Sequence, residues 1–197
     1  MGKGELTRER IVATAARVFN ERGFAGASMA DLMEATGLQK GGIYRHFESK
    51  EALALEAFEH AISLMAGRFT AALEGQNHAV DRLHAMVSVF EGIQDDPPVP
   101  GGCPMMNAMI ESDDAYSPLR DRARNAMDGL TGFLHRITAR GIDRGEIRAD
   151  VEPEALATLI VATLEGALAM ARFYGRRDPM RHAVEHLRRH LDGSVRA

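Results

Sequence analysis

Apolar residues recur along this chain at three- and four-residue intervals, and nowhere with the strict alternation of a half-buried strand. The spacing of Ile11, Ala15, Val18 and Phe19 predicts a helix over Thr7 to Arg22, ended by Gly23. Leu53, Phe58, Ile62, Met65 and Phe69 predict a long helix from Ser49 to about Leu73, stopped by Gly75. Val80, Leu83, Val87 and Phe90 predict another over Ala79 to Gln94. The run Asp95 to Gly102, with three prolines and two glycines, then breaks the pattern. Later helices are announced by proline at the first helical position. Cys103-Pro104 opens one to Ser112, and Ser117-Pro118 opens one to Arg140 that Gly141 and Gly145 should close. Pro153 opens one to Tyr174, and Asp178-Pro179 opens the last, to about Leu191. The expected fold is all-α with about nine helices.

Between the first and the long helix the pattern tightens. Ser28 can cap a short helix, and Asp31 can reach back to complete a capping box. Met29, Leu32 and Met33 give that helix one apolar face. Gly37 suits the left-handed residue just past its end, and Leu38 can fill the corner. A second short helix, Lys40 to about Phe47, buries Ile43 and Phe47 and turns Lys40, Tyr44, Arg45 and His46 outward. Residues 28–47 therefore have the layout of a helix-turn-helix, whose second helix enters the major groove of duplex DNA.

Charge supports that reading once its distribution is considered. The whole chain is −4, with 24 basic and 28 acidic residues among 197. Residues 1–50 hold eight Lys and Arg against six Asp and Glu, so a basic head sits on an acidic body. The candidate DNA-facing set is Ser28, Gln39, Lys40, Gly41, Gly42, Tyr44, Arg45, His46 and Lys50. Lys40, Arg45 and Lys50 supply charge for phosphates, and Tyr44 and His46 supply directional donors. Ser49 can cap the long helix close to the same surface.

Gly37-Leu38, followed by Gly41-x-Ile43-Tyr44-x-His46-Phe47-x-Ser49-Lys50-Glu51-x-Leu53, resembles the signature of the tetracycline-repressor (TetR) family of bacterial transcriptional regulators. Two positions depart from it. Gln39 replaces a common Ser or Thr and offers an amide able to read adenine. Gly42 replaces a common hydroxyl residue. The resemblance implies a DNA-binding domain at 1–50 and a ligand-binding and dimerisation domain at 51–197. It also implies a homodimeric repressor that leaves a near-palindromic operator when a small-molecule effector binds.

Two further sets follow from the resemblance. The final helices of such proteins pair with their twins, which points to Leu156, Leu159, Ile160, Thr163, Leu164, Ala167 and Leu168 as the dimer interface. Methionine is abundant, 11 of 197 residues, and flexible Met lines adaptable apolar pockets. Met86, Phe90, Cys103, Met106, Met109, Phe133, Met170 and Phe173 are the candidate effector-binding residues, with Tyr116 and Tyr174 nearby in sequence. Cys103, the single cysteine, opens a helix, so an alternative signal is oxidation or alkylation of its thiol. Lacking a partner cysteine and basic neighbours in sequence, it reads first as a small buried hydrophobe.

Other chemistry finds no foothold. The pairs Asp95-Asp96 and Asp113-Asp114 lie in turn-rich stretches and read as solvated. His182, His186 and His190 share a helix face, but the outer two are about 12 Å apart along the axis and cannot share an ion. No GxSxG, HExxH or phosphate-binding glycine loop is present, so no enzyme, metal or cofactor is expected. The N-terminus lacks a signal-peptide core and no unbroken apolar run matches a membrane span, so a cytoplasmic protein is expected.

Overall fold

The computed structural model describes residues 2–112 and 117–197; the expectations for Asp113, Asp114 and Tyr116 lie outside them. Among the described residues there are nine α-helices: α1 Lys3–Arg22, α2 Met29–Thr36, α3 Lys40–Tyr44, α4 Lys50–Leu73, α5 Ala79–Ile93, α6 Pro104–Ser112, α7 Ser117–Asp143, α8 Pro153–Tyr174 and α9 Asp178–His190. A π-turn, Leu191–Val195, follows α9. Contacts group the chain into two units, Met1–Met65 with Pro98–Asn125, and Ala66–Pro97 with Ala126–Ala197. This packing division differs from the functional boundary expected after residue 50, because the first part of α4 and the stretch containing α6 both group with the N-terminal helices.

In the first unit, Ile11, Ala15 and Phe19 of α1 pack with Leu32, Ile43, Leu53, Ala57 and Phe58, all at most 2% exposed. The ring that stacks on Phe19 is Phe24, 5.5 Å away and nearly parallel, and Phe58 meets Phe24 edge-on at 6.2 Å. Phe47, also buried, lies beneath the Arg8 guanidinium at 4.8 Å.

The 98–112 stretch is fastened to the end of α1 by two carboxamides. Buried Asn20 donates to the carbonyls of Pro100 (2.9 Å) and Gly102 (3.0 Å). Asn107 Nδ2 in turn donates to Asn20 Oδ1 and to the Gly101 carbonyl, both at 2.9 Å. Gly101 has φ +115°, and a Cβ there would lie 2.4 Å from the Asn20 carbonyl oxygen, so only glycine allows this approach. One turn further along α6 from Asn107, the Glu111 carboxylate accepts the N–H groups of Phe24 (2.7 Å) and Ala25 (3.2 Å). Buried polar groups need such partners, and here two loops satisfy each other.

In the second unit Val80, Leu83, Val87 and Phe90 of α5 are buried together with Leu156, Ile160, Leu164 and Leu168 of α8 and Val184 and Leu187 of α9. Glu152 caps α8 by accepting the Ala155 N–H at 2.6 Å, with Pro153 at the first helical position. Gly141 does not close α7 as expected. It lies inside the helix, where a Cβ would come within 2.6 Å of the Ala79 methyl and 2.7 Å of Ile147 Cδ1. Its missing side chain serves close packing, and the left-handed residue is Gly145, φ +69°. The C-terminal residues hook back: Arg148 N–H donates to the Val195 carbonyl (3.0 Å) and Arg196 pairs with Asp81 (2.8 Å). That pairing holds the Asp81 carboxyl below its ordinary range, chiefly through the hydrogen bond from Arg196. Asp95 and Asp96, expected to be solvated, are exposed but paired, with Arg177 and Arg68, each at 2.7 Å.

Candidate nucleic-acid interface

Local sequence chemistry builds the helix-turn-helix. Asp31 N–H donates to Ser28 Oγ at 3.2 Å, while the Asp31 carboxylate accepts the Ser28 N–H and hydroxyl, both at 2.7 Å. These Ser28 bonds, with the adjoining Arg22 guanidinium, hold the Asp31 carboxyl below its ordinary range. At the other end of α2, Gly37 adopts φ +69°, ψ 16°, and its N–H returns to the Met33 carbonyl at 2.9 Å. The Thr36 hydroxyl accepts the Leu38 N–H (3.3 Å), tightening the corner. Gln39 is extended, and its carbonyl accepts the first two bonds of α3, from Gly42 (2.8 Å) and Ile43 (3.3 Å). Regular α-helix ends at Tyr44, but the N–H groups of His46 and Phe47 still turn back to the Ile43 carbonyl. Ile43 and Phe47 are buried as the spacing predicts, at 1% and 4% exposure.

This geometry leaves Gln39, Lys40, Gly41, Tyr44 and Arg45 exposed, with Gly42 and His46 half-buried beside them. Among the described residues neither Lys40 nor Arg45 is paired with a carboxylate, so both charges are available to phosphates. Lys40 Nζ lies 5.6 Å from the Tyr44 ring centroid, which keeps the two side chains side by side on α3. Arg8 and Arg22, in contrast, are committed to Glu56 and Asp31. Ser28 is exposed, but its hydroxyl already serves the capping box.

Lys50 has a structural task that sequence spacing does not reveal. Its Nζ donates to the Ala27 carbonyl at 2.5 Å, tying the start of α4 to the residues that enter α2. Ser49 caps α4 as expected, its Oγ accepting the Ala52 N–H at 3.0 Å. Arg8, which carried no expectation, steadies the same region by bridging Phe47 and Glu56. A cation four residues before buried α1 position Val12 gives no sequence signal of that role.

Gly42 is helical, and a Cβ there would meet Leu38 Cβ at an ordinary 3.6 Å. Gly42→Ala is therefore expected to raise stability by about 0.5–1 kcal/mol, because glycine in a helix interior costs that much relative to alanine. A thermal melt with Tm unchanged or lowered would show that α3 needs the freedom of glycine.

The candidate effector residues are distributed over both units. Cys103 is buried at the start of α6, Met106 is half-buried and Met109 is 40% exposed, all in the first unit. In the second, Met86 and Phe90 are buried, each 1% exposed, and Phe133 is half-buried. Met170 (52% exposed) and Phe173 (85%) point away from their own unit's core, so they do not line an enclosed cavity within it.

The candidate dimer residues also need correction. Leu156, Ile160, Leu164, Ala167 and Leu168 are at most 7% exposed and pack inside the protomer. Helix α8 is apolar on more than one side, so its hydropathy does not reveal which side faces inward. The outward row, at helical spacing, is Leu159, Thr163, Gly166, Met170 and Phe173. By length and composition α8 is apolar enough to cross a membrane, although half of its most apolar stretch is buried here.

Comparison with known proteins agrees at both ends of the chain. Residues 11–57 match the model described as bacterial regulatory proteins, tetR family, and residues 79–187 match the tetracyclin repressor-like C-terminal domain. The HTH-type transcriptional repressor DhaR of Mycobacterium sp. strain GP1 is 28% identical over 182 residues, covering 88% of this chain and 86% of that protein. A TetR transcriptional regulator from Chloroflexus aurantiacus J-10-FL superposes with a TM-score of 0.96 at 47% identity, over all of this chain and 99% of its own. A TetR-family regulator from Cytophaga hutchinsonii gives 0.89 at 33% identity, over 100% and 98% of the two chains.

Proposed function

This chain belongs to the TetR family of bacterial transcriptional regulators, and from that premise we propose that it is a homodimeric repressor released from a near-palindromic operator by a small-molecule effector. The observation that carries the proposal is the exposed row Gln39, Lys40, Tyr44 and Arg45 on a helix whose two ends are fixed by a glycine turn and a buried Ile43–Phe47 pair. In this reading residues 1–50 bind DNA, and Gln39, Lys40, Gly41, Gly42, Tyr44, Arg45 and His46 line the contact. Ser28 and Lys50 hold the helices in position beside it. Residues 51–197 provide dimerisation and the effector site.

The dimer face of this reading is the outward row of α8. Leu159, Met170 and Phe173 form a row of large exposed apolar side chains that a second copy would cover, and Gly166 between them lets a second helix approach. A two-fold pairing through that row would set two α3 helices about 34 Å apart, one per successive major-groove turn. Leu159→Arg combined with Phe173→Arg is expected to yield a folded monomer by size-exclusion chromatography with light scattering. A double variant that stays dimeric would remove the α8 row from the interface.

The effector of this reading is small and apolar or aromatic, the class suggested by the chain's many methionines, and it acts by binding one dimer geometry better than the other. Cys103, 4% exposed, enters this reading as a packing residue rather than as the thiol sensor of the alternative.

A further inference from the structure

A cleft of about 240 Å³ in the second unit lies between the start of α5 and the last three turns of α7. Four arginines line it: Arg82 from α5, and Arg136, Arg140 and Arg144 at successive i+4 positions along and just past α7. Asn77, Gln76 and Phe133 line it as well, and no lining residue is a carboxylate. Residues 51–197 carry 16 basic against 22 acidic side chains, so a purely cationic cleft runs against the local composition.

The pairing pattern sharpens the contrast. Most other arginines in this unit are matched with acids, Arg188 with Glu91 at 2.9 Å and Arg196 with Asp81 at 2.8 Å among them, and the two that are not, Arg172 and Arg189, lie outside the cleft. Among the described residues none of the four cleft arginines has such a partner; Arg82 donates to the Gln76 carbonyl at 3.2 Å, and Arg136 sits 5.9 Å over the Phe133 ring. Glu146 accepts the N–H of the cleft residue Ala79 at 2.7 Å and does not itself line the cleft. The dipole of α7 favours cations at its C-terminal end, which accounts for Arg140 and Arg144. It does not account for Arg82 on another helix, and like charges at i and i+4 repel.

We propose that this cleft binds a small, multiply charged anion, a phosphate ester or polycarboxylate metabolite, through the guanidinium forks of Arg140 and Arg144 with Arg82 and Arg136. Guanidinium groups match the paired oxygens of both anion types. The volume suits a molecule of about sugar-phosphate or tricarboxylate size rather than a larger cofactor. The site shares no residue with the DNA-binding set, and with the apolar effector set it shares only Phe133, which lines the cleft.

The test is thermal melting and calorimetric titration of the full chain with sodium pyrophosphate and with sodium citrate, against sodium chloride of equal ionic strength. One or both anions should raise Tm beyond the chloride control, and the larger effect distinguishes a phosphate from a carboxylate ligand. Arg140→Gln with Arg144→Gln should weaken that anion about tenfold or more, the loss expected for one or two charged hydrogen bonds. Arg82→Gln should weaken it too, while Lys40→Ala with Arg45→Ala should leave it unchanged. No shift beyond chloride, a shift that survives the arginine variants, or one lost only in the Lys40 and Arg45 variant would overturn the proposal. Loss of operator affinity in the Arg140 and Arg144 variant would also overturn it, by making the cluster a DNA contact.

Discussion

Replacing Lys40 and Arg45 together by alanine is expected to weaken operator binding on the order of 100-fold at physiological salt while leaving the protein folded. Both side chains are exposed, Lys40 at the start of α3 and Arg45 just past its end, and neither is spent on a carboxylate among the described residues. Their charges are therefore free to displace counterions from phosphates, the main sequence-independent source of DNA affinity. Each phosphate contact removed should lower the slope of log K against log salt by about 0.9. Two lost contacts at the centre of the site should weaken binding on the order of 100-fold. Because Ile43 and Phe47, not the two cations, anchor the helix, the melting temperature should barely move. A mobility-shift titration across several salt concentrations decides the matter. Affinity within about twofold of wild type, with an unchanged slope, would mean that α3 is not the recognition helix.

Gly101→Ala is expected to be the most destabilising small substitution in the chain. At φ +115° an alanine is strained whatever the surrounding space, and here there is none. The added methyl would lie 2.4 and 2.5 Å from the carbonyl oxygen and carbon of Asn20, backbone atoms of α1 that cannot rotate away. Strain of about 1–3 kcal/mol and overpacking of a similar size together predict a loss of about 3 kcal/mol or more. For a chain of this size that corresponds to a Tm lower by roughly 6–12 °C. Asn20→Ala should cost about 2–4 kcal/mol by a different route, stranding the Pro100 and Gly102 carbonyls and the Asn107 amide. Since both changes open the same junction, the double variant should lose less than the two separate losses combined. A Gly101→Ala Tm within about 2 °C of wild type would show that the 98–102 loop is free to re-form elsewhere.

What the sequence disclosed and what it withheld differ by the range of the contacts involved. The Ser28–Asp31 box, the left-handed Gly37 and the buried Ile43–Phe47 pair all act across a few residues, so their spacing carries the whole signal. The family signature lies in the same stretch. The Asn20–Gly102 and Phe24–Glu111 bonds join residues 82 and 87 positions apart, and no local pattern announces them. Gly141 was legible as an irregular residue but not as a packing residue, because a helix stop and a close helix contact use the same missing Cβ. On α8 the apolar character was evident and its direction was not. The neighbours Leu159 and Ile160 look alike in sequence until the rest of the unit closes on one side; Ile160 then lies inward and Leu159 outward.

The carboxamide junction between Asn20 and Asn107 also bears on modularity. A DNA-binding head cut at residue 50 and transplanted onto another regulator's body would arrive without residues 98–112. Its Asn20 amide would lose the Pro100 and Gly102 carbonyls, and the Phe24 and Ala25 N–H groups would lose Glu111. The transplantable module is thus discontinuous in the gene: a chimera that keeps this head's specificity must carry the α6 segment with it, or acquire a substitute for that segment from the recipient.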